Sequence, residues 1–243
     1  MSKNFADPKK GVVRAVQDVS FVAKPGQTFG LLGANGAGKT TTLRMLSTVI
    51  QPTSGSATVN GFDVVRDSRS VRANIGFLST STALYQRLNP VEMLRYFGEL
   101  YGMSKADTER RIEEIVAKLN IGEFMDRLCD KLSTGQKQRV SIARAILHDP
   151  PILFFDEPTA GLDVVTSQTI LEFIEDCRNS GKTVIFSTHI MAETERLCDH
   201  VAVIHEGKMR AQGTVEGLKA EYQAESFEQA FLKIVDYRSE VNA

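Results

Sequence analysis

The segment from Gly33 to Thr40 constrains this chain more than any other feature. It reads Gly-Ala-Asn-Gly-Ala-Gly-Lys-Thr, which fits the pattern G-x-x-x-x-G-K-[ST]. The mostly apolar stretch from Gln27 to Leu32 precedes it, and apolar residues at helical spacing follow it. A glycine-rich turn between a strand and a helix can curl so that successive backbone N–H groups point at phosphate oxygens. The sequence therefore predicts a binding site for a nucleoside triphosphate.

Two side chains of this segment have expected roles of their own. Lys39 is expected to reach the β and γ phosphates, and the hydroxyl of Thr40 is expected to bind Mg²⁺. A dinucleotide-binding turn is excluded, because it would need a third glycine or alanine at Thr41. The predicted contacts with the nucleotide are Gly33, Ala34, Asn35, Gly36, Ala37, Gly38, Lys39, Thr40 and Thr41.

Two further predicted strands end in polar residues. The apolar run before Asp156 and Glu157 predicts one strand, and the run before His189 predicts another. In an open parallel sheet, ligands collect beyond the carboxyl ends of the strands. If the first strand neighbours the one before the phosphate loop, we expect Asp156 to hold Mg²⁺ through water and Glu157 to polarise the attacking water. For His189 we expect a contact with the γ-phosphate.

A predicted helix begins within Leu132-Ser133-Thr134-Gly135-Gln136. Ser133 is a natural N-cap, and a helix N-terminus beside serine and glycine can bind an anion. Taken alone, the pattern fits an ordinary capped helix. Its position just before the acidic strand favours a part in the same site.

In this order, the motifs resemble those of the nucleotide-binding subunits of ATP-binding cassette (ABC) transporters. Leu132–Gln136 resembles the family signature LSGGQ, with Thr134 in place of its first glycine. The other matches are Gly33–Thr40 with Walker A, Ile152–Glu157 with Walker B and its catalytic glutamate, Gly161-Leu162-Asp163 with the D-loop, His189 with the switch histidine, and Phe5 with the aromatic residue that stacks on adenine.

The resemblance implies an α/β fold of the P-loop NTPase class. It implies a core with a mostly parallel sheet flanked by helices, an antiparallel β-subdomain and an inserted α-helical subdomain, all within one domain over 1–243. The core with the β-subdomain is expected in 1–78 and 150–213, the helical subdomain in about 79–149 and a C-terminal tail helix in about 214–243. The alternation of apolar strands with helices independently favours a parallel sheet covered on both faces.

In this family two subunits pair head to tail, so that the signature of one covers the ATP of the other. The resemblance therefore implies ATP hydrolysis with ATP and Mg²⁺ as cofactors, and a homodimer that forms on ATP binding. It also implies a separate membrane subunit, an ABC-2-like permease, gripped by residues 79–102. The residues expected to act in trans are Ser133, Thr134, Gly135, Gln136 and Asp163.

Within the family, Ser187–Glu193 and Leu197-Cys198-Asp199 are similar to the corresponding segments of sodium-efflux ATPases. This similarity implies ATP-driven export of Na⁺. A drug or other small-molecule exporter is the alternative, and a non-transport ABC ATPase acting on DNA or ribosomes is a further one. A regulator that binds ATP without hydrolysing it is disfavoured by the presence of Glu157 and His189.

The sequence departs from the family pattern in two places. The family usually places a glutamine after the strand Ile75–Leu78, where it contacts Mg²⁺ and the membrane partner. Here Thr80, or else Ser79, takes that position, and a hydroxyl is expected to reach the ion only through water. The family also usually has a strand before the adenine-stacking aromatic. Because Phe5 lies close to Met1, that strand is expected to be missing or to lie upstream.

Composition narrows the location and the partners. The chain has 243 residues and a formal net charge of −1, from 29 Lys plus Arg against 30 Asp plus Glu. This balance gives no electrostatic argument for a nucleic-acid partner. Apolar runs such as Ile152–Phe155 are much shorter than the ~20 residues of a membrane span, and no secretory signal is recognisable. We therefore expect a cytoplasmic chain, peripheral on the cytoplasmic face of the membrane through its membrane subunit.

Overall fold

The computed structural model describes residues 1–9, 11–79 and 83–236. In chain order the strands are β1 (Lys3–Asp7), β2 (Gly11–Val16), β3 (Thr28–Leu32), β4 (Thr58–Val59), β5 (Phe62–Asp63), β6 (Ile75–Leu78), β7 (Ile152–Asp156), β8 (Thr183–Thr188), β9 (His200–His205) and β10 (Lys208–Gly213). The α-helices are α1 (Lys39–Leu46), α2 (Ser68–Ala73), α3 (Pro90–Leu100), α4 (Lys105–Lys118), α5 (Thr134–Ile146), α6 (Val164–Asn179), α7 (Met191–Leu197), α8 (Val215–Glu221) and α9 (Phe227–Ile234).

A central sheet organises the described residues. Its strands lie in the order β10-β9-β3-β8-β7-β6. β3 pairs in parallel with β8 and β9, β7 pairs in parallel with β6 and β8, and β10 is antiparallel to β9. Every residue of β3 and β8 is buried, as expected for strands covered on both faces. The predicted α/β fold with a mostly parallel sheet is confirmed.

Two antiparallel pairs, β1 with β2 and β4 with β5, lie outside the central sheet. Val19, Phe21 and Ala23 alternate with polar or small neighbours, a pattern that predicts a strand, but the prediction is wrong because this segment forms no ladder among the described residues. Instead Val19 exchanges two backbone hydrogen bonds with Met1, at 2.8 and 3.0 Å, and Phe21 stacks on Phe29 with ring centroids 4.7 Å apart. Alternation indicates which face a segment buries, whereas a strand also needs a neighbour with which to pair.

The region 79–149 holds α3, α4 and α5. α3 begins with a capping box, in which Asn89 and Glu92 each accept a hydrogen bond at 2.9 Å from the other's backbone N–H. Buried apolar residues from each of these helices belong to the same hydrophobic cluster as residues of β7 and β8. The helical region is therefore packed directly against the sheet that carries the predicted acidic residues.

The end of the chain differs from the single tail helix predicted for about 214–243, since α8 and α9 are separate. Gln223 has a φ of +49°, a left-handed conformation that interrupts a helix, and Ser226 then caps α9 through a 3.2 Å hydrogen bond from Gln229 N. Phe227 and Ala230 pack against strands of the central sheet, as their helical spacing predicts. No helix in the described ranges combines the length and apolar character that a membrane span requires.

Candidate functional site

The loop between β3 and α1 is shaped by glycines that no other residue could replace without strain. Gly38 is the N-cap of α1 and has a φ of +109°, where a side chain is disfavoured. A Cβ atom there would lie 2.6 Å from the carbonyl oxygen of Ala15, and one at Gly33 would collide with the carbonyl oxygen of Ile204. The backbone of this loop therefore packs closely against the backbones of β2 and β9.

A cavity of about 290 Å³ lies over this loop. It is lined by Ala15, Asn35, Gly36, Ala37, Gly38, Lys39, Thr40, Thr41 and Glu157. The predicted nucleotide contacts from Asn35 to Thr41 thus face one cavity, together with the predicted catalytic glutamate. Gly33 and Ala34, which were predicted with them, instead turn their carbonyl oxygens toward Lys39.

The Lys39 ammonium is held by groups of its own chain. The residue is 3% exposed, and Nζ donates to the carbonyl oxygens of Gly33 at 2.7 Å and Ala34 at 3.1 Å. The same nitrogen lies 3.1 Å from Oε1 of Glu157. The ammonium therefore has two hydrogen-bond acceptors and one ion-pair partner within its own chain.

Asp156, the last residue of β7, is fully buried. Its Oδ1 accepts hydrogen bonds from the hydroxyls of Thr40 at 2.9 Å and Ser187 at 2.7 Å. Its Oδ2 is buried without a hydrogen-bond partner among the described residues. An unpaired buried acceptor costs about 1–3 kcal/mol, which points to a missing cation or water. Carboxylate and hydroxyl oxygens suit Mg²⁺, so these residues fit the predicted metal.

Asp156 was predicted to lie beside the phosphate loop if β7, which ends in Asp156, neighbours β3, which precedes the loop. That condition is not met, because β8 lies between β3 and β7. The contact forms because Thr40 sits in the first turn of α1, which continues past β3, while Ser187 of the intervening β8 bonds the same carboxylate oxygen. Thr40 and Asp156 are therefore hydrogen-bonded although β8 separates their strands in the sheet.

Glu157 lies between Lys39 and His189. Its side chain is 17% exposed, and Oε2 is 3.3 Å from Nδ1 of His189, whose side chain is 42% exposed. The backbone N–H of Glu157 donates to both the carbonyl oxygen and the hydroxyl of Ser187, each at 3.1 Å. Glu157 has a φ of +48°, a conformation rarely adopted by residues other than glycine. Such strain persists only where the surrounding structure imposes it, and it is common at functional sites.

The predicted signature residues stand at the start of α5. Ser133 and Gln136 form a capping box, with hydrogen bonds of 3.3 Å from Gln136 N and 2.9 Å from Ser133 N. Ser133 and Thr134 are exposed, whereas Gly135 is packed so closely that a Cβ atom would lie 2.9 Å from Thr166. None of these residues lines the cavity over the phosphate loop.

Asp163, the predicted D-loop acid, is the N-cap of α6. It accepts hydrogen bonds from the backbone N–H of Thr166 at 2.9 Å and from its hydroxyl at 2.7 Å. The backbone bond, followed by the hydroxyl bond, lowers the pKa of Asp163 below its usual value. Thr166 thus joins the D-loop to the signature helix. We call Ser133–Gln136 with Asp163 the signature half of the site, and Gly33–Thr41 with Asp156, Glu157 and His189 the phosphate half.

Two predicted residues lie at the margin of the site. Phe5 pairs with Val13 in the β1–β2 ladder, two positions along β2 from Ala15, and is 41% exposed. Its ring does not line the cavity, and Lys3 Nζ lies 5.2 Å from the ring centroid. Thr80, the possible further Mg²⁺ contact, lies outside the described residues. Ser79, its alternative, is buried directly after β6.

Sequence reasoning missed three residues that support the phosphate half. Ser187 bonds Asp156, and Gln138 of α5 donates to the carbonyl oxygen of Pro158 at 2.6 Å, next to Glu157. Glu193 accepts hydrogen bonds from Thr159 and Thr188. Ser187 could have been predicted as a site residue, because it stands at the end of a predicted strand, directly before Thr188 and His189. Gln138 and Glu193 could not, because polar residues within a helix are ordinarily solvent-facing.

A phosphate loop between β3 and α1, with a strand-end aspartate bonded to its threonine, defines a P-loop nucleotide hydrolase. A family model described as "ABC transporter" matches residues 16–160, and one described as "AAA domain, putative AbiEii toxin, Type IV TA system" matches 126–195. The chain belongs to the ABC transporter family, as an ATP-binding subunit with ATPase activity.

Several curated proteins are similar to this chain. It is 43% identical over 232 residues to the ABC transporter ATP-binding protein NatA of Bacillus subtilis, covering 95% of this chain and 94% of that protein. The linearmycin resistance ATP-binding protein LnrL of the same organism is 37% identical, covering 82% and 64% respectively. The probable multidrug ABC transporter ATP-binding protein YbhF of Escherichia coli is 36% identical, covering 97% and 40%.

Solved structures agree in fold. One described as the ATP-binding subunit of an ABC transporter has a TM-score of 0.83 and 30% identity, covering 91% of this chain and 93% of that one. A second, the dimeric post-hydrolysis state of the ATP-binding cassette MJ0796 bound to ADP and Pi, has a TM-score of 0.79 and 25% identity, covering 88% and 95%.

Proposed function

We propose that this chain hydrolyses ATP to drive export of Na⁺ through a separate membrane subunit. The observation that carries the ATPase part is the convergence of Lys39, Thr40, Asp156, Glu157 and His189 on one edge of the sheet. The choice of Na⁺ is supported by the similarity of Ser187–Glu193 and Leu197–Asp199 to sodium-efflux ATPases.

In this proposal the phosphates occupy the cavity over the loop, where Lys39 contacts the β and γ phosphates. The Lys39 ammonium donates to two carbonyl oxygens and forms an ion pair with Glu157. Phosphate binding must therefore compete with these contacts. An ammonium that turns toward the phosphate releases Glu157, which is then free to orient a water.

Thr40 and Asp156 are the residues that hold Mg²⁺, and the unpaired Oδ2 of Asp156 supports that role. The described residues contain no cluster of three His, Cys, Asp or Glu side chains that could bind a metal by themselves. Phosphate oxygens are expected to complete the coordination. Bound Mg²⁺ neutralises charge that develops on the phosphates.

Glu157 and His189 are the proposed catalytic pair. Glu157 takes the position of general base, because its carboxylate lines the cavity next to Lys39. His189 lies 3.3 Å from the other carboxylate oxygen and remains partly exposed, so it can contact a γ-phosphate from the open side. Phe5 is the proposed stacking partner of adenine, from the adjoining β1.

Homodimerisation is proposed from the signature half. Its exposed polar residues do not reach the cavity of their own chain. A second copy, arranged head to tail, would bring Ser133, Thr134, Gly135, Gln136 and Asp163 to the nucleotide. The dimeric structure of MJ0796 bound to ADP and Pi supports dimerisation by analogy.

The surface around α3 supports docking of an ABC-2-like permease. Within the described part of 79–102, exposed apolar and aromatic side chains cluster, with Tyr85 and Tyr96 in edge contact at 5.6 Å. The exposed residues are Tyr85, Tyr96, Leu100 and Tyr101. Exposed aromatic groups in a patch are typical of protein contacts. Docking there would hold the chain on the cytoplasmic face of the membrane.

The transport proposal is tested by ²²Na⁺ efflux from vesicles that contain this chain and the membrane protein encoded beside it. ATP-dependent efflux that Lys39→Ala abolishes is the expected result. The names of LnrL and YbhF favour a drug exporter as the second candidate. Efflux of a drug, with ²²Na⁺ retained in the same vesicles, would replace Na⁺ as the proposed substrate.

A further inference from the structure

Glu193 is a buried carboxyl group in the first turn of α7. It is 5% exposed. Its Oε1 accepts a hydrogen bond from the Thr159 hydroxyl at 2.5 Å, and its Oε2 accepts one from the Thr188 hydroxyl at 2.6 Å. Both threonines are themselves buried. No ion pair to Glu193 is found in the part of the chain that the structure describes, so two hydroxyls are its observed partners.

The two hydroxyls belong to the two segments that carry the proposed catalytic pair. Thr159 follows Glu157 by two residues in the turn after β7. Thr188 directly precedes His189 at the end of β8, and its oxygen also accepts a hydrogen bond from Ile190 N at 3.0 Å. The Glu193 carboxyl group therefore links the two turns on which Glu157 and His189 stand.

The linked turns need such a support. Glu157 has a strained backbone, with a φ of +48°, and its carboxylate lies only 3.3 Å from His189. A displacement of about 1 Å in a catalytic group can cost roughly 100-fold in rate. A link between the two turns would hold both the strained conformation and this separation.

The chemistry of Glu193 also argues against simple space filling. Apolar side chains of similar volume usually fill a buried position at least as stably as a carboxyl group does. A carboxylate is distinctive because it can accept on both oxygens at once, with the two acceptors held at a fixed separation. Glu193 does not line the cavity over the phosphate loop, so it acts through other residues.

We propose that Glu193 is a positioning residue for ATP hydrolysis, which fixes Glu157 relative to His189 by bonding Thr159 and Thr188. The proposal rests on the catalytic roles proposed for Glu157 and His189. It concerns hydrolysis alone, so it is independent of which substrate is exported.

The test compares kcat, KM for ATP and thermal unfolding of purified Glu193→Ala, Glu193→Gln, Thr159→Val and Thr188→Val. We expect kcat of Glu193→Ala to fall by roughly 10- to 100-fold with little change in KM, because the displaced groups act in the chemical step. Each threonine variant should lose part of that amount. Glutamine keeps the length and one acceptor oxygen but cannot accept on both sides, so Glu193→Gln should recover only part of the lost rate.

Thr108→Val is the matched control. Thr108 is a buried threonine of α4 whose hydroxyl donates to Ser104 O at 2.9 Å, away from the site. It should lower the melting temperature to a similar extent as Thr159→Val without lowering kcat. If kcat of folded Glu193→Ala, Thr159→Val and Thr188→Val stays within about twofold of wild type, the proposal is wrong.

Two further results keep the interpretations separate. In the Glu193→Ala background, Thr159→Val should cause no further loss of kcat, because the only hydrogen bond observed for the Thr159 hydroxyl in the described part of the chain is the one to Glu193. A full additional loss would overturn the link. Glu157→Gln is measured in parallel. If this variant hydrolyses ATP at the wild-type rate, the catalytic role of Glu157 is wrong. If Glu157→Gln is inactive while Glu193→Ala is fully active, only the positioning role of Glu193 is wrong.

Discussion

The two halves of the site differ in how completely one chain builds them. In the phosphate half, Lys39 and Asp156 are buried and bonded to residues from three neighbouring strands or their loops. In the signature half, Ser133 and Thr134 are exposed, and the capping box pairs the side chains of Ser133 and Gln136 with each other's backbone N–H. The phosphate half is thus preorganised within the fold, while the signature half is an exposed helix start that does not line the cavity of its own chain.

The difference has a consequence for where mutations act. A change in the phosphate half removes a group that no second chain can supply. A change in the signature half leaves the cavity of its own chain intact and alters a surface that, in the proposed homodimer, faces the second copy. Capping of α5 contributes roughly 1 kcal/mol to stability, so signature variants are expected to remain folded. The two halves can therefore be separated by experiment.

Glu157→Gln is expected to have the largest effect. The change removes the proposed base while keeping the side-chain volume, so steady-state hydrolysis should fall by about 100-fold or more. ATP binding should persist and the lifetime of the dimer should lengthen, because cleavage no longer releases the closed state. Phosphate release measures the first effect, and size-exclusion chromatography with ATP measures the second.

Glu172→Gln, the same change on the exposed face of α6, is the control for charge and should hydrolyse ATP normally. A Glu157→Gln protein that retains nearly wild-type hydrolysis would exclude this residue from the mechanism and would weaken the contrast between the two halves.

Mixing two inactive variants tests whether the halves come from different chains. Lys39→Ala damages the phosphate half and Ser133→Arg damages the signature half, so each homodimer has two defective sites. In a 1:1 mixture about half of the dimers are mixed, and each has one intact site, because a two-fold dimer pairs each half with the other chain. ATPase activity should recover to about a quarter of wild type when the two sites work independently.

The matched control mixes Lys39→Ala with Glu157→Gln, which both lie in the phosphate half. Every site in that mixture retains a defect, so no activity should return. Recovery in neither mixture, with dimers present, would mean that the signature half does not act in trans.

Asp156→Asn is expected to alter the response to Mg²⁺. Asp156 holds the metal through water in the proposed arrangement, and changes to such outer partners typically weaken metal binding by roughly 10- to 100-fold. The Mg²⁺ concentration for half-maximal hydrolysis should rise accordingly in a titration at fixed ATP. Asp163→Asn makes the same change in the signature half and should leave the Mg²⁺ dependence unaltered. An equal shift in both variants would contradict the assignment of Asp156.

The phosphate loop was predictable because its residues are contiguous and each has a local reason to be there. Lys39 and Thr40 follow a glycine-rich turn, and the structure brings both to the same cavity. Asp156 was predictable from the rule that parallel strands gather ligands at their carboxyl ends. The contact of Asp156 with Thr40 across β8 was not predictable, because strand order depends on packing between distant segments. In the structure β8 separates β3 from β7.

The supporting residues were hidden for a related reason. Glu193 and Gln138 lie in helices, and each makes a hydrogen bond to a distant residue, Thr159 at 34 positions and Pro158 at 20 positions respectively. Nothing in local periodicity distinguishes such a side chain from an exposed one. Val19–Ala23 shows the opposite error, in which a clear local pattern was misinterpreted. Its alternation of apolar residues reflects the packing of Phe21 on Phe29 and not a strand.

Thr134→Gly is expected to have the smallest effect. Thr134 is the first residue of α5, its side chain is exposed, and no hydrogen bond of that side chain is found within the described ranges. A helix start can offer its backbone N–H groups to an anion whichever side chain is present. Glycine lowers helix stability by at most about 1 kcal/mol, so the melting temperature should fall slightly. The hydrolysis rate should change by less than about threefold, which corresponds to well under 1 kcal/mol in the barrier. A tenfold increase would instead show that the threonine methyl group or hydroxyl obstructs the approach of the second chain. The signature half would then be less ready for its partner than its rigid capping box suggests.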